Sequence, residues 1–425
     1  MADLNDCFAS ADGRLTIADA VERFTSGLDC VVREEEVPVS EALGRILAAD
    51  LISSIQIPPR NNSAVDGYLV YFDDLVADGE TTLPVAARIA AGHPMEGTAS
   101  PGNAYQIFTG AQVPAGEGGN DPDTIFMLED IRTEADAVVL PHGQKRGANL
   151  RLAGEDVKTG DTVLMSGTRL RPQDIGMAAS VGCATLTVRK KLRVAVFSNG
   201  DEIRNPGEAL GPGAIYDINR FTVPALLTTL GCEVTDLGIF PDSLGAIQEG
   251  LAGAAAEHDL ILTSGGVSKG EEDHVRTAVA NLGALHTWNL LIKPGRPIAL
   301  GHLEDSGRQI PFIGLPGNPV AVMVTFLKVA RPIVLLLSGT AKLNETLYQI
   351  PAGFEFAKKP GRREWLRCHL EKDEEGGLCV LKYPNDGSGI LTSMVASDGL
   401  VELAEDSLGV EDGQLVDFLP FSEVM

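Results

Sequence analysis

Short apolar runs alternate with segments of helical periodicity between Leu192 and about Ser338. The runs have the length of buried strands, and the segments between them have the apolar spacing of amphipathic helices. The predicted strands are Arg193–Phe197, Glu233–Ile239, Asp259–Thr263 and Ile310–Gly314. The predicted helices are Arg220–Leu230, Leu244–Glu257, Glu271–Leu282 and Pro319–Leu337. This alternation predicts a parallel sheet with helices on both faces, in which ligands bind at the carboxyl ends of the strands.

The regions on either side of this alternation have different patterns. Thr16–Gly27 predicts one amphipathic helix with Thr16 as its N-cap. From Leu47 to about Arg189, short β-like runs interrupted by Pro and Gly predict hairpins and loops. After Ser338 a small β-barrel or sandwich is predicted, with strands at Gln349–Phe356, Glu364–Leu370, Leu378–Leu381, Gly399–Leu403 and Gln414–Leu419. A chain of 425 residues is long enough for about two to four domains.

The charge balance excludes one large class of partners. With 34 Lys and Arg against 59 Asp and Glu, the formal net charge is −25, which repels the phosphate backbone that dominates nucleic-acid affinity. We therefore expect no nucleic-acid partner. A small anion is compatible with this charge when its site is locally basic or built from backbone N–H groups, because charges act over about 8 Å at physiological salt.

The cysteines and the apolar segments indicate a cytoplasmic protein. Six cysteines are scattered without C-x-x-C spacing, which is typical of free thiols in a reducing compartment. The acidic N-terminus lacks the basic and apolar regions of a signal peptide. The apolar stretch Val320–Leu337 has nearly the length of a membrane span, but Lys328, Arg331 and Pro332 interrupt it, so we predict a buried helix and no membrane.

The segment LILTSGGVSKGEEDH contains the strongest local motif, a buried strand followed by Gly265, Gly266 and Gly270 and then by a helix. Glycines allow backbone N–H groups to approach a ligand, and a helix N-terminus attracts anions, so this turn can hold phosphate or a similar oxyanion. The alternative is an ordinary strand-to-helix connection with Ser268 as its cap. Asp273 falls in the first turn of that helix, where the helix dipole stabilises any carboxylate.

Carboxylates follow two more of the predicted strands. Asp201 and Glu202 lie just beyond the strand in RVAVFSNGDEI, and Asp242 follows the strand Glu233–Ile239, where it can instead cap the next helix. Asp217, in IYDINR, precedes a helix at the same predicted edge of the sheet. Several carboxylates held together need a cation such as Mg²⁺ or a raised pKa, so this edge is a candidate metal site.

Two motifs rich in Pro and Gly complete the same edge. FIGLPGNPVAV places Pro316, Gly317 and Asn318 before a long apolar helix, where turn chemistry alone can explain them. LIKPGRP supplies Lys293 and Arg296 as the cations that an anion requires, although a single Lys or Arg is usually a solvated surface charge.

The N-terminal region has polar turns of its own. PRNNSAVDGYLV contains Asp66, IFTGAQVP contains Thr109, and the Gly-punctuated loop QKRGANLRLAGEDV contains Arg151, Glu155 and Asp156. Turn chemistry can explain each of these residues when it is considered alone.

Taken together, these motifs resemble the molybdopterin molybdenumtransferase family, which includes the E domain of gephyrin. NSAVDGY, FTGA, RLAGED, SNGDE, IYDINR, SGGVSKGEED, IKPGRP and LPGNPV occur in family order between about Thr16 and Leu419. The resemblance implies a multidomain α/β protein, with a doubly wound domain resembling the molybdopterin adenylyltransferases, a β-rich domain inserted near the N-terminus and a C-terminal β-barrel. The implied parts are a linker domain (1–50 and 150–191), an inserted domain (51–149), a molybdopterin-binding doubly wound domain (192–338) and the barrel (339–425).

The resemblance also implies a reaction, in which adenylylated molybdopterin and molybdate give molybdenum cofactor and AMP with Mg²⁺. The site would be shared between the subunits of a homodimer, with Asp66, Thr109, Arg151 and Asp156 of one subunit facing the metal-binding carboxylates and Lys293 of the other. The implied catalytic residues are Asp66, Asp156, Glu202, Asp242 and Asp273, of which Glu202, Asp242 and Asp273 would hold Mg²⁺. The implied substrate-binding residues are Thr109, Arg151, Gly265, Gly266, Ser268, Lys293, Arg296, Pro316, Gly317, Asn318, Arg362 and Arg367.

Two positions depart from the family pattern. The family often has an apolar residue at the position of Lys269 and a cation at the position of Asn289. Loss of that cation removes a charge-assisted contact of about 1.5–3 kcal/mol. Lys269 can supply the missing charge from the neighbouring loop.

Two other functions are open on the sequence alone. A molybdopterin adenylyltransferase would share the doubly wound domain, but a small stand-alone enzyme of that kind has no counterpart of NSAVDGY and RLAGED. The adenylyltransferase is also a candidate partner, because it would supply the substrate. The other alternative function is a scaffold that binds a protein partner, as gephyrin does at synapses. The carboxylates argue against a role as a scaffold alone.

Overall fold

The computed structural model describes residues 14–266 and 274–425. Its N-terminal part covers residues 14–191 and is mainly β-structure, as predicted. The strands and helices here are β1 (Arg14–Leu15), α1 (Ile17–Thr25), β2 (Glu34–Pro38), β3 (Leu51–Ile52), β4 (Asn62–Ser63), β5 (Gly67–Val70), β6 (Thr81–Ile89), β7 (Ala104–Ile107), β8 (Thr124–Met127), β9 (Arg132–Glu134), β10 (Ala137–Leu140), β11 (Leu150–Arg151), β12 (Thr162–Leu164), α2 (Pro172–Ser180) and β13 (Thr185–Arg189).

A six-stranded sheet of order β8-β5-β7-β6-β10-β9 forms one body within this part. Antiparallel ribbons β2–β13, β3–β12 and β4–β11 join the segments that precede this sheet to those that follow it. This pairing is what an inserted domain requires, because the chain must leave and re-enter the linker domain at adjacent points.

The two helices of the N-terminal part differ in how well the sequence indicated them. The hydroxyl of Thr16 accepts the backbone N–H of Asp19 at 3.1 Å, which confirms the predicted cap of α1. Helix α2 was not predicted; it begins at Pro172 with Asp174 accepting the backbone N–H of Arg171 at 2.8 Å. Both helices have nine residues, but α2 is much less amphipathic than α1, so its helical periodicity does not stand out among the surrounding strands.

The segment from Arg193 to Leu337 has the doubly wound α/β fold that was predicted for it. Its strands and helices are β14 (Arg193–Asn199), β15 (Ile203–Arg204), β16 (Ile215–Tyr216), α3 (Asn219–Thr229), β17 (Glu233–Phe240), α4 (Leu244–Glu257), β18 (Leu260–Ser264), α5 (His274–Leu282), β19 (Gly283–Leu290), β20 (Ile292–Lys293), β21 (Pro297–Asp305), β22 (Arg308–Leu315), α6 (Pro319–Thr325) and α7 (Arg331–Leu337). The predicted start of α5 at Glu271 lies outside the described residues.

The central sheet has the order β1-β19-β21-β22-β18-β14-β17. Alternate residues of β14 face opposite cores: Val194 and Val196 pack with α1, α3, α6 and α7, whereas Ala195 and Phe197 pack with α4 and α5. Period-two alternation between two apolar cores explains why this strand appears as a continuous apolar run.

The prediction of a parallel sheet is wrong for one side of the domain. Strands β17, β14, β18 and β22 are parallel, but β21 runs antiparallel to both β22 and β19. Only two residues, Ser306 and Gly307, connect β21 to β22, and both have positive φ. A connection this short makes a hairpin and cannot contain the crossover helix that parallel strands need.

The predicted helix Pro319–Leu337 is present, with a π-helical turn at Phe326–Ala330 between α6 and α7. Pro332 has no backbone N–H to donate to the carbonyl of Lys328, which accounts for the altered hydrogen bonding at this turn. The helix is long and apolar enough to cross a membrane, but 83% of its apolar 18-residue window is buried inside the protein. It is therefore the core helix that the sequence predicted.

Residues 339–425 form the C-terminal β-barrel. Its elements are β23 (Tyr348–Pro351), β24 (Phe356–Ala357), β25 (Arg363–Lys372), β26 (Leu378–Lys382), α8 (Thr392–Val395), β27 (Gly399–Leu403), β28 (Gly409–Val410) and β29 (Leu415–Pro420). Strand β20 of the doubly wound domain pairs in parallel with β25, with Lys293 opposite Glu364. This pairing fixes the barrel beside the loop that carries Lys293 and Arg296.

Candidate active site

The carboxyl ends of β14 and β17 bring two of the predicted side chains together. Asn199, the last residue of β14, donates its amide N–H to Oδ1 of Asp242 at 3.1 Å. Ser243, and not Asp242, caps α4, since its hydroxyl accepts the backbone N–H of Ala246 at 3.4 Å. The Asp242 carboxylate is thus exposed and oriented by Asn199, which the sequence analysis did not single out.

Glu202 lies at the same end of β14. A Cβ atom placed on Gly200 would come within 2.7 Å of Oε2 of Glu202, so this carboxylate folds back over the strand end. Within residues 14–266 and 274–425 there is no cluster of three His, Cys, Asp or Glu side chains suited to a metal ion. Glu202 and Asp242 are therefore exposed carboxylates at neighbouring strand ends, and Asp201, next to Glu202, is exposed as well.

Gly265 and Gly266 follow β18 and have φ values of 82° and 63°. A Cβ on Gly266 would lie 2.9 Å from Cγ2 of Val275 and 3.1 Å from Oδ1 of Asn199, so only glycine fits without displacing its neighbours. The glycine turn therefore lies against the residue that orients Asp242. The predicted residues Ser268, Lys269 and Asp273 lie outside the described residues.

Asp217 has a structural role at this edge. It is 5% exposed, and its two carboxylate oxygens accept from the backbone N–H and from Nε of Arg220, each at 3.1 Å. Arg220 also bonds to Asp236 and Asn205. These contacts hold the start of α3 against the sheet and engage the Asp217 carboxylate completely.

A cleft of about 360 Å³ separates the loop of Lys293 and Arg296 from the turn of Pro316, Gly317 and Asn318. The side chains of Asp386 and Ser388, from the barrel, lie at the same cleft. Its lining residues are Ile292, Lys293, Pro294, Gly295, Arg296, Pro297, Pro316, Gly317, Asn318, Ala321, Asp386 and Ser388. The structure thus brings together five residues that the sequence predicted to bind substrate.

A second cavity of about 520 Å³ adjoins this cleft and shares Arg296 with it. Arg296, Lys359 and Arg362 line it together with Asn289, and no carboxylate is among its described lining residues. We call it the cationic cavity. Asn289, at the position where the family often has a cation, also lines this cavity. Lys359 provides a positive charge here that the sequence analysis did not consider.

Glu364 connects the two cavities. It is 3% exposed and lies 3.1 Å from Nζ of Lys293 and 3.7 Å from Nη2 of Arg362. One nearly buried carboxylate therefore positions a cation of the cleft and a cation of the cationic cavity.

Arg367 lies away from both cavities. Its buried guanidinium donates to Oγ of Ser393 at 3.1 Å and to the carbonyl oxygens of Asn385 at 2.7 Å and Gly387 at 3.4 Å. Burial lowers the pKa of Arg367 from its ordinary value. These contacts support the loop that places Asp386 and Ser388 at the cleft, so a direct contact between Arg367 and substrate stays a prediction.

The predicted N-terminal residues form a separate group. Oδ1 of Asp66 accepts the backbone N–H of Thr109 at 2.8 Å and its hydroxyl at 2.7 Å. These two hydrogen bonds, the backbone one first, hold the pKa of Asp66 below its ordinary value. Arg151 and Asp156 are exposed nearby, on and just after the strand β11 that pairs with β4.

Within one chain these two groups do not share a cavity. Among the described residues, none from 14–191 lines the cleft or the cationic cavity. Asp66, Thr109, Arg151 and Asp156 are instead exposed on the N-terminal part of the chain.

Comparison with known proteins covers nearly the whole chain. Residues 15–182 match the MoeA N-terminal region (domain I and II), residues 195–335 a probable molybdopterin binding domain, and residues 349–421 the MoeA C-terminal region (domain IV). The chain is 35% identical over 416 residues to a molybdopterin molybdenumtransferase of Haemophilus influenzae, a match spanning 97% of this chain and 100% of the relative. It is 34% identical over 360 residues to the enzyme of that name from Nostoc sp., across 83% and 81% of the two chains.

A solved structure shows the same architecture. The crystal structure of the molybdopterin biosynthesis moeA protein from Pyrococcus horikoshii OT3 superimposes with a TM-score of 0.80 at 27% sequence identity, over 95% of this chain and 99% of that one. The resemblance inferred from the motifs is therefore confirmed over the full length, and so is the predicted fold.

Proposed function

The chain belongs to the MoeA family and is a molybdopterin molybdenumtransferase, and we propose that it inserts molybdenum from molybdate into adenylylated molybdopterin and releases AMP. Relatives that carry this name align with the whole chain, including the regions before Leu192 that a stand-alone adenylyltransferase lacks. The adenylyltransferase alternative is thereby disfavoured.

The observation that carries the detailed proposal is the pair of adjoining cavities that share Arg296. The cleft offers Pro, Gly and backbone groups beside Lys293, which suits a large organic anion. The cationic cavity offers three cations without a lining carboxylate, which suits a compact oxyanion. We assign molybdopterin and its phosphates to the cleft and molybdate to the cationic cavity, so that Arg296 contacts both reactants.

The carboxylates at the strand ends fit Mg²⁺. Asp242 and Glu202 supply hard oxygen ligands, and Asp273 is predicted to join them; Mg²⁺ in proteins is usually held by one or two carboxylates, water and substrate phosphates. When bound, the ion offsets the charge of the pyrophosphate that is cleaved. Asn199 has the role of a positioning residue, since it fixes one oxygen of Asp242 and leaves the other exposed.

We propose that a second copy of the chain supplies the N-terminal group of residues. Exposed apolar side chains follow Glu202 in the chain, and the carbonyl of Glu202 accepts the backbone N–H of Ile215 at 2.9 Å. These side chains are Leu210, Ile215, Tyr216, Ile218 and Phe221, and a second exposed set near Arg151 comprises Ile52, Ile55 and Leu152. Contact between the two apolar sets would place Asp66, Arg151 and Asp156 of one subunit opposite Glu202 of the other.

The first test is the reaction itself. Purified protein is mixed with adenylylated molybdopterin, molybdate and Mg²⁺, and AMP is measured with and without molybdate. We expect AMP release to require both molybdate and Mg²⁺. AMP release that is independent of molybdate, or pyrophosphate release from ATP and molybdopterin, would contradict the proposed reaction.

The second test asks whether the site is shared. Asp66→Asn and Asp242→Asn are each expected to be inactive, but an equal mixture refolded together forms heterodimers that contain one intact site each. Such a mixture should recover about a quarter of the wild-type activity, because half the dimers are mixed and each has one intact site of two. A mixture of Asp66→Asn with Asp156→Asn is the matched control, since both changes fall on the same side. Equal activity of the two mixtures would refute a shared site.

We also propose that the protein acts in the cytoplasm and receives its substrate from a molybdopterin adenylyltransferase. The five described cysteines, Cys30, Cys183, Cys232, Cys368 and Cys379, are free thiols, which supports a reducing compartment. Measuring AMP formation from molybdopterin, ATP and both purified enzymes tests the substrate transfer. Equal rates with free and with enzyme-supplied adenylylated molybdopterin would argue against a direct partnership.

A further inference from the structure

A basic groove lies at the edge of the central sheet opposite the candidate active site. Two cavities of about 650 Å³ and 430 Å³ flank the segment that passes from the linker domain into the doubly wound domain, and both are lined by Arg45, Lys190 and Lys191. Arg193 and Arg308, the first residues of β14 and β22, line the larger cavity. The groove is therefore at the amino ends of the strands, whereas Glu202 and Asp242 lie at the carboxyl ends.

The charge of this groove is opposite to that of the whole chain. Eight Lys and Arg and four Glu and Asp line the two cavities, in a chain with 34 cations and 59 acidic residues. A local excess of cations in a strongly acidic protein concentrates anions at that place, because the field inside a concave site is set mainly by the nearest charges.

Four of these cations have no ion-pair partner among the described residues. Arg45 pairs with Glu35 and Arg193 with Asp259, the latter at 2.8 Å. In contrast, no acidic oxygen in the described part of the chain lies within salt-bridge distance of Arg33, Lys190 or Lys191. Arg169 likewise lacks an acidic partner and donates to the carbonyl oxygens of Gly44 and Thr229, so four charges without an ion pair remain where the two domains meet.

The backbone holds two of these residues next to each other. The N–H of Lys190 donates to the carbonyl of Arg33 at 2.8 Å, directly beyond the ribbon of β2 and β13. Both residues line the larger cavity, so an anion bound there can contact two cations that lack acidic partners. In the smaller cavity, the buried Nε of Arg189 lacks a hydrogen-bond acceptor, which adds a donor that the fold does not use.

We propose that this basic groove binds a compact polyphosphate anion, such as pyrophosphate or the phosphate chain of a nucleotide. The cations converge from several chain segments on two concave cavities, which suits a short anion with several charges better than an extended acidic peptide. Residues of the linker domain and of the doubly wound domain contribute to the same cavity, so the bound anion also ties the two domains together. The site is separate from the proposed transferase chemistry, and its test does not depend on turnover.

The test measures binding of inorganic tripolyphosphate to the full chain by titration calorimetry at low ionic strength. Because the cationic cavity can also bind this probe, the titration is repeated with Arg362→Gln, which weakens that cavity alone. In this background, adding Lys190→Gln and Lys191→Gln should weaken binding about tenfold or more, since each charge-assisted contact is worth at least such a factor. The matched control is Lys145→Gln with Lys158→Gln, two exposed lysines outside the groove, which should leave binding unchanged.

A second measurement is possible because residues of both domains line the basic groove, so a bound anion should stabilise the folded protein. Tripolyphosphate should raise the midpoint temperature of unfolding of the Arg362→Gln protein, and the shift should be lost in the Lys190 and Lys191 variant. The proposal is overturned by absence of binding at low salt, by equal binding to the groove variant and its control, or by tighter binding of polyglutamate than of tripolyphosphate.

Discussion

Lys328 gives the most direct test of how the core helix is coupled to the C-terminal barrel. It lies in the π-helical turn, its side chain is 6% exposed, and its Nζ contacts carboxylates of Glu345 and Glu402, the latter at 2.6 Å. The same ammonium lies 5.6 Å from the ring centroid of Trp365. Lys328→Met keeps the length of the side chain and removes its charge, so it isolates the electrostatic contribution.

The structure sets the expected magnitude. Removing one partner from a buried ion pair costs about 3–5 kcal/mol, because a charge stays buried without compensation. Glu402 is 9% exposed and keeps Arg363 at 2.6 Å, while Glu345, at 19%, keeps a distant contact with Arg331 at 4.0 Å. These remaining contacts offset part of the loss, so we expect Lys328→Met to lower the free energy of unfolding by about 2–4 kcal/mol.

The pH dependence follows from the same carboxylate. Burial alone would raise the pKa of Glu402, but the charge of Lys328 and hydrogen bonds from Lys328 and Trp365 outweigh it and lower the pKa below its ordinary value. A lowered pKa adds stability above the unfolded-state value, near about 4.3, and this stability is lost as the pH falls through the folded-state pKa. Without Lys328 this contribution is removed, so the difference between variant and wild type should be full at neutral pH and should narrow below about pH 4.

The assay is urea unfolding followed by circular dichroism at neutral and acidic pH. Lys342→Met, a change at an exposed lysine of the following loop, is the matched control and should shift the midpoint little. Adding Glu402→Gln to Lys328→Met should restore part of the stability, because the uncompensated charge is then removed. A Lys328→Met midpoint equal to wild type, or a deficit that is the same at both pH values, would refute this reasoning.

Arg367→Met removes the donor that holds the loop 385–387, so we expect a higher KM for adenylylated molybdopterin; an unchanged KM in steady-state assays would count against this role. Hydrogen bonds lower the pKa of Asp66, so its carboxylate is charged throughout pH 5–8. Asp66→Asn should therefore reduce AMP release at least about tenfold across this whole range. A loss confined to the acidic end of the range would contradict this role of Asp66. Burial, and then the proximity of His302, lower the pKa of His286. The unfolded chain therefore binds protons more readily than the folded protein, and the free energy of unfolding should fall as the pH drops below about 6.5. This fall should be smaller in His286→Leu. Urea titrations that show the same pH dependence for His286→Leu and wild type would exclude this contribution.

Much of the fold could be predicted because its signals are local. Helix α4 begins and ends where its apolar periodicity indicates, although Ser243 caps it and not Asp242, and β27 has the bounds expected from its short apolar run. Strands β19 and β21 were not predicted, and their antiparallel pairing with each other joins residues up to 20 positions apart in the chain. Strand pairing depends on residues far apart in the chain, which periodicity does not report.

The same distinction applies to the site. Lys293 and Arg296 were singled out from one motif, and the cleft brings them beside Pro316 and Gly317. The contact between Lys293 and Glu364 joins positions 71 residues apart, through the pairing of β20 with β25, and no local pattern indicates it. Lys359 was not predicted for a similar reason. An exposed lysine is recognised as part of an anion site only when the fold places other cations beside it.

The distribution of charge links these findings. A net charge of −25 opposes the binding of molybdate and phosphates anywhere on the surface at random, because like charges repel and the screening length is only about 8 Å. The cationic cavity and the basic groove reverse the sign locally, and in both places cations outnumber the lining carboxylates. Each reversal acts over roughly one screening length, so an anion gains attraction only where the fold has gathered cations from separate segments. The general acidity of the chain thus increases the contrast between anion-binding and other surfaces, and raising the salt concentration should weaken binding at both basic places.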